Sequence, residues 1–184
     1  MNFLLEYLKN PRTIGAVAPS GNGLARKMIK SVNFNKAEVI VEYGAGTGAF
    51  TRELVINRKP DTALILIEQN KKFCRELAKN FRNQPNVHII NGSAENVNLY
   101  LKKYGFRQAD YIISGLPFTS LPADISENIF RETIKAIGNN GKFITFQYSM
   151  VKRKFFEKYF RISDILHELK NLPPAYVLVM RNIK

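Results

Sequence analysis

The segment best suited to chemistry is Glu42-Tyr43-Gly44-Ala45-Gly46-Thr47-Gly48. It follows a short apolar run and precedes a helical pattern over residues 49–57. Glycines at alternate positions let the backbone turn sharply and let a ligand approach the peptide groups closely. The G-x-G-x-G spacing differs from the dinucleotide pattern G-x-G-x-x-G, and no Gly-Lys-Ser/Thr follows as in a Walker loop. Twenty residues beyond Gly48, Glu68 closes a second apolar run, Ala63-Leu64-Ile65-Leu66-Ile67-Glu68. A carboxylate at that place can accept both hydroxyl protons of a ribose. Together the loop and the carboxylate point to a nucleoside-bearing ligand.

Three other groups invite the same question. Ser93-Ala94-Glu95 follows a third apolar run. Ser114-Gly115-Leu116-Pro117-Phe118 follows a fourth. Phe146-Gln147-Tyr148 ends a fifth, and Val151 to Phe160 then mixes Lys152, Arg153, Lys154 and Lys158 with aromatic rings. Such a mixture can grip lipid phosphate and sink rings at an interface, or stack on RNA bases.

The elements that must position these residues alternate. Strands are expected at 38–42, 63–68, 87–90, 110–114 and 142–148, with short strands near 162–170 and 175–181. Helices are expected at 2–9, 22–31, 49–57, 70–82 and 124–137. Strands alternating with helices make an α/β fold around a mostly parallel sheet. Ligands of such sheets bind beyond the carboxyl ends of the strands, where strand order reverses. Every candidate group above lies just after a strand.

Composition narrows the function classes. The 184 residues are 45% hydrophobic and 23% charged, an ordinary globular balance. No apolar run approaches the roughly 20 residues of a spanning helix, and no secretory signal pattern is expected at the N-terminus. Cys74 is the only cysteine and His88 and His167 the only histidines, so neither a disulfide nor a Cys/His metal site is expected. A cytoplasmic location fits. The net charge is +13, a surplus that suits polyanionic partners. It concentrates at the ends. Residues 1–40 hold six basic and two acidic side chains, and residues 150–184 hold eight and three.

With these residues in view, the chain resembles the class I S-adenosylmethionine-dependent methyltransferases. Their signature is E/D-x-G-x-G-x-G after the first strand and an acidic residue after the second. The resemblance implies a Rossmann-like, seven-stranded sheet with an antiparallel last strand and helices on both faces. It implies S-adenosylmethionine as cofactor, contacting Glu42, Gly44, Ala45, Gly46, Thr47 and Gly48, then Glu68 and Gln69, then Ser93, Ala94, Glu95 and Ser114. Ser93 stands where an aspartate is common.

Two families sharing this arrangement fit the acceptor side. The rRNA adenine dimethyltransferases carry N-L-P-Y where this chain has Gly115-Leu116-Pro117-Phe118. They also carry a C-terminal RNA-gripping domain, for which the 36 residues after Tyr148 are too few. The chain is also similar to the bacterial phospholipid N-methyltransferases. The shared residues are Phe3, Leu4, Pro11 and Ile14-Gly15-Ala16-Val17-Ala18-Pro19-Ser20, then Ser114 to Pro117, Phe146-Gln147-Tyr148 and Asn171-Leu172-Pro173-Pro174-Ala175. This second resemblance implies one domain over 1–184, with residues 1–30 as a lid and membrane-contact segment. In it Ile14, Pro19 and Ser20 would cover the cofactor. The amine would be held by Ser114, Gly115 and Tyr148. Leu116, Pro117 and Phe118 would meet the substrate, and the chain's own chemistry makes Lys152 and Arg153 candidates for its phosphate. An amphipathic helix at 2–9 could lie among lipid headgroups at the inner face of a membrane. The expected reaction is methylation of a phospholipid amine such as phosphatidylethanolamine. Two alternatives stay open: an RNA adenine methyltransferase lacking its usual domain, and a non-catalytic cofactor-binding module at the membrane.

Overall fold

The computed structural model describes residues 22–171 and 173–183. The expectations placed on the helix at 2–9, on Ile14, Pro19 and Ser20, and on Leu172 lie outside the described residues.

The chain runs α1 (Asn22–Ile29), β1 (Val39–Tyr43), α2 (Ala49–Asn57), β2 (Ala63–Glu68), α3 (Lys71–Asn80) and β3 (Val87–Asn91). A 3₁₀ turn (Ala94–Asn96) leads into α4 (Val97–Lys103), followed by β4 (Tyr111–Ser114), α5 (Ala123–Ile137), β5 (Lys142–Gln147), α6 (Arg153–Glu157), β6 (Phe160–Glu168) and β7 (Ala175–Asn182). The strands form one seven-stranded sheet in the order β3-β2-β1-β4-β5-β7-β6. β7 is antiparallel to both its neighbours, and the other pairs are parallel. This is the expected Rossmann-like methyltransferase sheet, with the antiparallel strand last in sequence but second from the edge.

The strands are apolar because both faces are covered. Every residue of β1 and of β2 is buried. Successive side chains point to opposite faces, so the core splits in two. Val39, Val41, Tyr43, Ile65, Ile67, Ile112 and Phe143 face α4, α5 and α6 through Val97, Leu101, Ile129, Phe130 and Phe156. Ile40, Leu64, Leu66, Ile113, Ile144 and Val177 face α1, α2 and α3 through Leu24, Met28, Phe50, Leu54 and Leu77. The described part of the expected lid segment, α1, is thus a core helix packed on the sheet.

Strand order reverses between β1 and β4, which pair in parallel with Tyr43 beside Ser114. The loops after these two strands splay apart to opposite helices and leave a crevice at their carboxyl ends. Sequence reading missed α4 and the turn before it. Their signal was modest: Ser93 as an N-cap, then Val97 and Leu101 four apart and both buried.

Candidate active site

A cavity of about 220 Å³ opens at the carboxyl ends of β1, β2, β3 and β4. Gly44 and Gly46 form one wall, Glu68 and Gln69 the next, then Ser93, Ala94 and Glu95, and finally Gly115, Leu116 and Pro117. Ile125 and Ile129, one turn apart on α5, close it, and Ile67 and Gly92 complete the lining. Four separate segments of the sequence reading therefore meet in one place. Ile125 and Ile129 were not anticipated; their spacing of four on an amphipathic helix was a signal that a core position gives equally.

Glu68 organises the site. Its carboxylate is 2% exposed. Oε2 accepts from the Gly46 amide at 2.9 Å and Oε1 from the Asn70 amide at 2.8 Å. The first bond ties the end of β2 to the glycine loop after β1. A carboxylate has about four acceptor positions, so two remain for hydroxyl groups of a ligand. The Glu68 carbonyl is held in turn by the Gly92 amide at 3.0 Å and the Asn91 side chain at 3.0 Å, which brings the end of β3 alongside.

The glycine loop is shaped by space as much as by turning. Gly44 has φ of +65°, and a Cβ there would sit 2.8 Å from Leu116 Cδ2. A Cβ on Gly115 would sit 3.0 Å from the Gly44 carbonyl oxygen. The loops after β1 and β4 are thus in near contact, and a side chain on either would push them apart.

Glu42 lies beneath this loop, fully buried. Oε2 accepts from the Thr51 hydroxyl at 2.7 Å, while Oε1 has no partner among the described residues. Burial pushes its pKa up from 4.5 to about 8, opposed by the Thr51 bond and reinforced by the charge of Glu68. Glu42 is therefore protonated at neutral pH. Neither it nor Ala45, Thr47 or Gly48 lines the cavity; these residues carry the loop into α2.

Ser93 is engaged locally. Its hydroxyl donates to Glu95 Oε2 at 3.0 Å and its oxygen accepts from the Glu95 amide at 3.3 Å. Glu95 Oε1 accepts from Asn128 on α5 at 3.2 Å, so α5 and the turn after β3 hold each other.

On the acceptor side the structure separates residues that the sequence placed together. Gly115, Leu116 and Pro117 line the cavity, but Ser114 is buried, with its hydroxyl oxygen accepting from the Leu116 amide at 3.2 Å. Phe118, expected against the substrate, is fully buried, with its ring 4.8 Å from Phe130 and 5.7 Å from Phe156. The turn after Pro117 points it into the core. Lys152 and Arg153, expected to hold phosphate, do not line the cavity. Lys152 Nζ donates to the Phe118 carbonyl at 2.9 Å, and Arg153 Nε pairs with Glu157 at 2.8 Å. Tyr148 is half-buried beside Phe146, and its hydroxyl has no partner among the described residues. Burial pushes the phenol above its ordinary range.

A family model described as ribosomal RNA adenine dimethylase matches residues 20–164. The chain belongs to this family. As a ribosomal RNA adenine dimethylase family member it is an S-adenosylmethionine-dependent methyltransferase, and that sets aside the non-catalytic reading. The ornithine lipid N-methyltransferase of Singulisphaera acidiphila is 32% identical over 184 residues, covering 99% of this chain and 95% of that protein. A probable ribosomal RNA small subunit methyltransferase A of Methanococcus aeolicus is 31% identical over 60% of this chain, and the match takes in 38% of that protein. Among solved structures, Aeropyrum pernix fibrillarin with natively bound S-adenosyl-L-methionine aligns with a TM-score of 0.67 at 14% identity, covering 86% of this chain and 72% of that one. At that identity the likeness is one of fold.

The residues present fit this cofactor. Glu68 keeps acceptor positions for a ribose, Gly44, Gly46 and Gly115 present bare backbone to the cavity, and Ile125 and Ile129 give an apolar wall for a base. Glu42 adds an unpartnered buried oxygen beneath the loop that would bend around it.

Proposed function

We propose that this family member methylates the amine of a lipid headgroup, with phosphatidylethanolamine as the first candidate and an ornithine lipid as the second. The observation that carries the reading is the likeness to an ornithine lipid N-methyltransferase along almost the full length of both chains. The rRNA-directed relative continues well beyond the part that this chain matches. The glycine at position 115 supports the same reading: no side-chain amide is available there to accept from an adenine amine.

The cofactor supplies an electrophilic methyl on a sulfonium. Glu68 would hold the ribose hydroxyls, Ile125 and Ile129 would cover the base, and the turn at Ser93 to Glu95 would border it. Gly115, Leu116 and Pro117 would form the wall the amine meets, with the Gly115 carbonyl as an acceptor for its proton-bearing nitrogen. In-line displacement asks the protein mainly for positioning. The near contact of the loops after β1 and β4 suits that demand, since it fixes the acceptor wall against the cofactor wall. The headgroup would enter as the neutral amine, its lone pair would form the new N–C bond as the methyl–sulfur bond breaks, and the proton on the methylated nitrogen would pass to solvent, with Tyr148 packing at the acceptor side.

The reading is tested by expressing the chain in a host that makes no methylated lipids and separating its lipids by thin-layer chromatography and mass spectrometry. Mono- or polymethylated derivatives of an amine lipid are expected. An unchanged lipid profile together with newly methylated adenine in small-subunit rRNA would favour the second reading, which the family match supports.

A further inference from the structure

The lipid reading leaves open how the site meets a substrate embedded in a bilayer, and the inference drawn here rests on that reading. β5 ends at Gln147, and β6, parallel to it across β7, ends at Glu168. Gln147 pairs with Tyr176 and Glu168 with Ala175. The segment after β5 and the turn between β6 and β7 therefore leave the sheet side by side. They do so on the rim from which the loops after β1, β2 and β4 also rise.

Each of these two segments carries an exposed aliphatic side chain. Val151 is 86% exposed and Leu169 73%. Cations adjoin both: Lys154 follows Val151 by three residues, and Lys170 follows Leu169 directly. Neither lysine has an ion-pair partner among the described residues. The other strongly exposed aliphatics are dispersed: Ile56 lies at the end of α2, Leu99 on α4, and Ile183 past the end of β7.

Of the four aromatic rings in the 151–160 segment, Phe156 and Phe160 are buried against Phe130, and Phe155 and Tyr159 are half-buried against the same ring, so none stands out as far as Val151. What protrudes is aliphatic and cationic. An RNA offers phosphates for the lysines but no apolar phase for Val151 and Leu169. Burial of aliphatic surface is favourable only on transfer out of water. An anionic bilayer offers both, an apolar phase for the aliphatic side chains and a negative surface for the lysines.

We infer that Val151 and Leu169, flanked by Lys154 and Lys170, form the face that docks on an anionic bilayer and turns the rim of the cavity toward the headgroups. The chain has no tryptophan, so Val151→Trp and Leu169→Trp each give a single fluorescent reporter in the full-length protein. On vesicles of phosphatidylethanolamine and phosphatidylglycerol, both reporters should shift to the blue and be quenched by brominated acyl chains, whereas Ile56→Trp should do neither. A double variant, Val151→Asp with Leu169→Asp, should bind these vesicles about tenfold or more weakly. It should methylate vesicle lipid correspondingly slowly, yet act on detergent-dispersed lipid at the wild-type kcat. Unquenched reporters, or a double variant that binds vesicles like wild type, would overturn the inference while leaving lipid methylation intact if dispersed lipid is still turned over. A wild-type protein that methylates no lipid in either form would overturn the lipid reading and this inference with it.

Discussion

At the scale of single residues, Glu42 makes the sharpest demand. A fully buried carboxyl with one hydroxyl partner keeps its proton up to about pH 8, while in the unfolded chain it ionises near 4.5. Between those values the folded state binds the extra proton, so stability falls as pH rises. The favourable contribution is complete below about 4.5 and is gone above about 8. Glu42→Gln removes the proton from the balance. Its stability relative to wild type, read from urea midpoints, should increase from pH 5 to pH 8 by on the order of 3 kcal/mol. A gap that stays constant over that range would mean that Glu42 is ionised in the folded chain. Phe118 makes the opposite kind of demand. Its ring is enclosed by Phe130, Phe143 and Phe156, so Phe118→Ala should cost about 3–5 kcal/mol of stability. The KM for the lipid acceptor should be unchanged in the protein that remains folded. A raised KM at unchanged stability would return the ring to the acceptor. The sequence could not separate these roles, because a phenylalanine after a Leu-Pro turn reads the same whether the turn sends it inward or outward.

At the scale of elements, the site is a meeting of loop ends. The β1 loop touches the β2 end through Gly46 and Glu68 and the β4 turn through Gly44, Leu116 and Gly115. Gly44→Ala would force a side chain into a backbone of φ +65° and against Leu116, a strain on the order of 1–2 kcal/mol. Titration calorimetry with S-adenosylhomocysteine should then show about tenfold weaker binding. Equal affinity would mean that the loop is not the cofactor cradle. These strand–loop–helix units were legible because each pairs an apolar run with turn chemistry at its carboxyl end. The α4 helix and the 3₁₀ turn were not, since seven residues with two buried side chains leave almost no periodic signal. The contribution of α5 to the cavity was also hidden. Ile125 and Ile129 obey the same spacing of four as the buried Thr133 and Ile137, and only the packing of α5 on the sheet decides which pair lines the cavity.

At the scale of the whole molecule, the sheet order brings the glycine loop, the end of β2 and the turn after β4 to one rim. The charge of +13 surrounds a chain in which no described helix is long and apolar enough to cross a membrane. The basic ends read from the sequence remain, but the structure redistributes their duties. Lys152 and Arg153 brace the α6 region, and Lys154 and Lys170 are left to the surroundings. Delivery of a methyl from S-adenosylmethionine to a lipid amine at this rim is tested most directly by competition. The purified protein is given methyl-labelled cofactor with phosphatidylethanolamine or ornithine-lipid vesicles and small-subunit rRNA in the same tube. Label is expected in the organic phase, on a lipid heavier by one or more methyl groups, and should be lost in Glu68→Ala. Label confined to adenine in the RNA would contradict it.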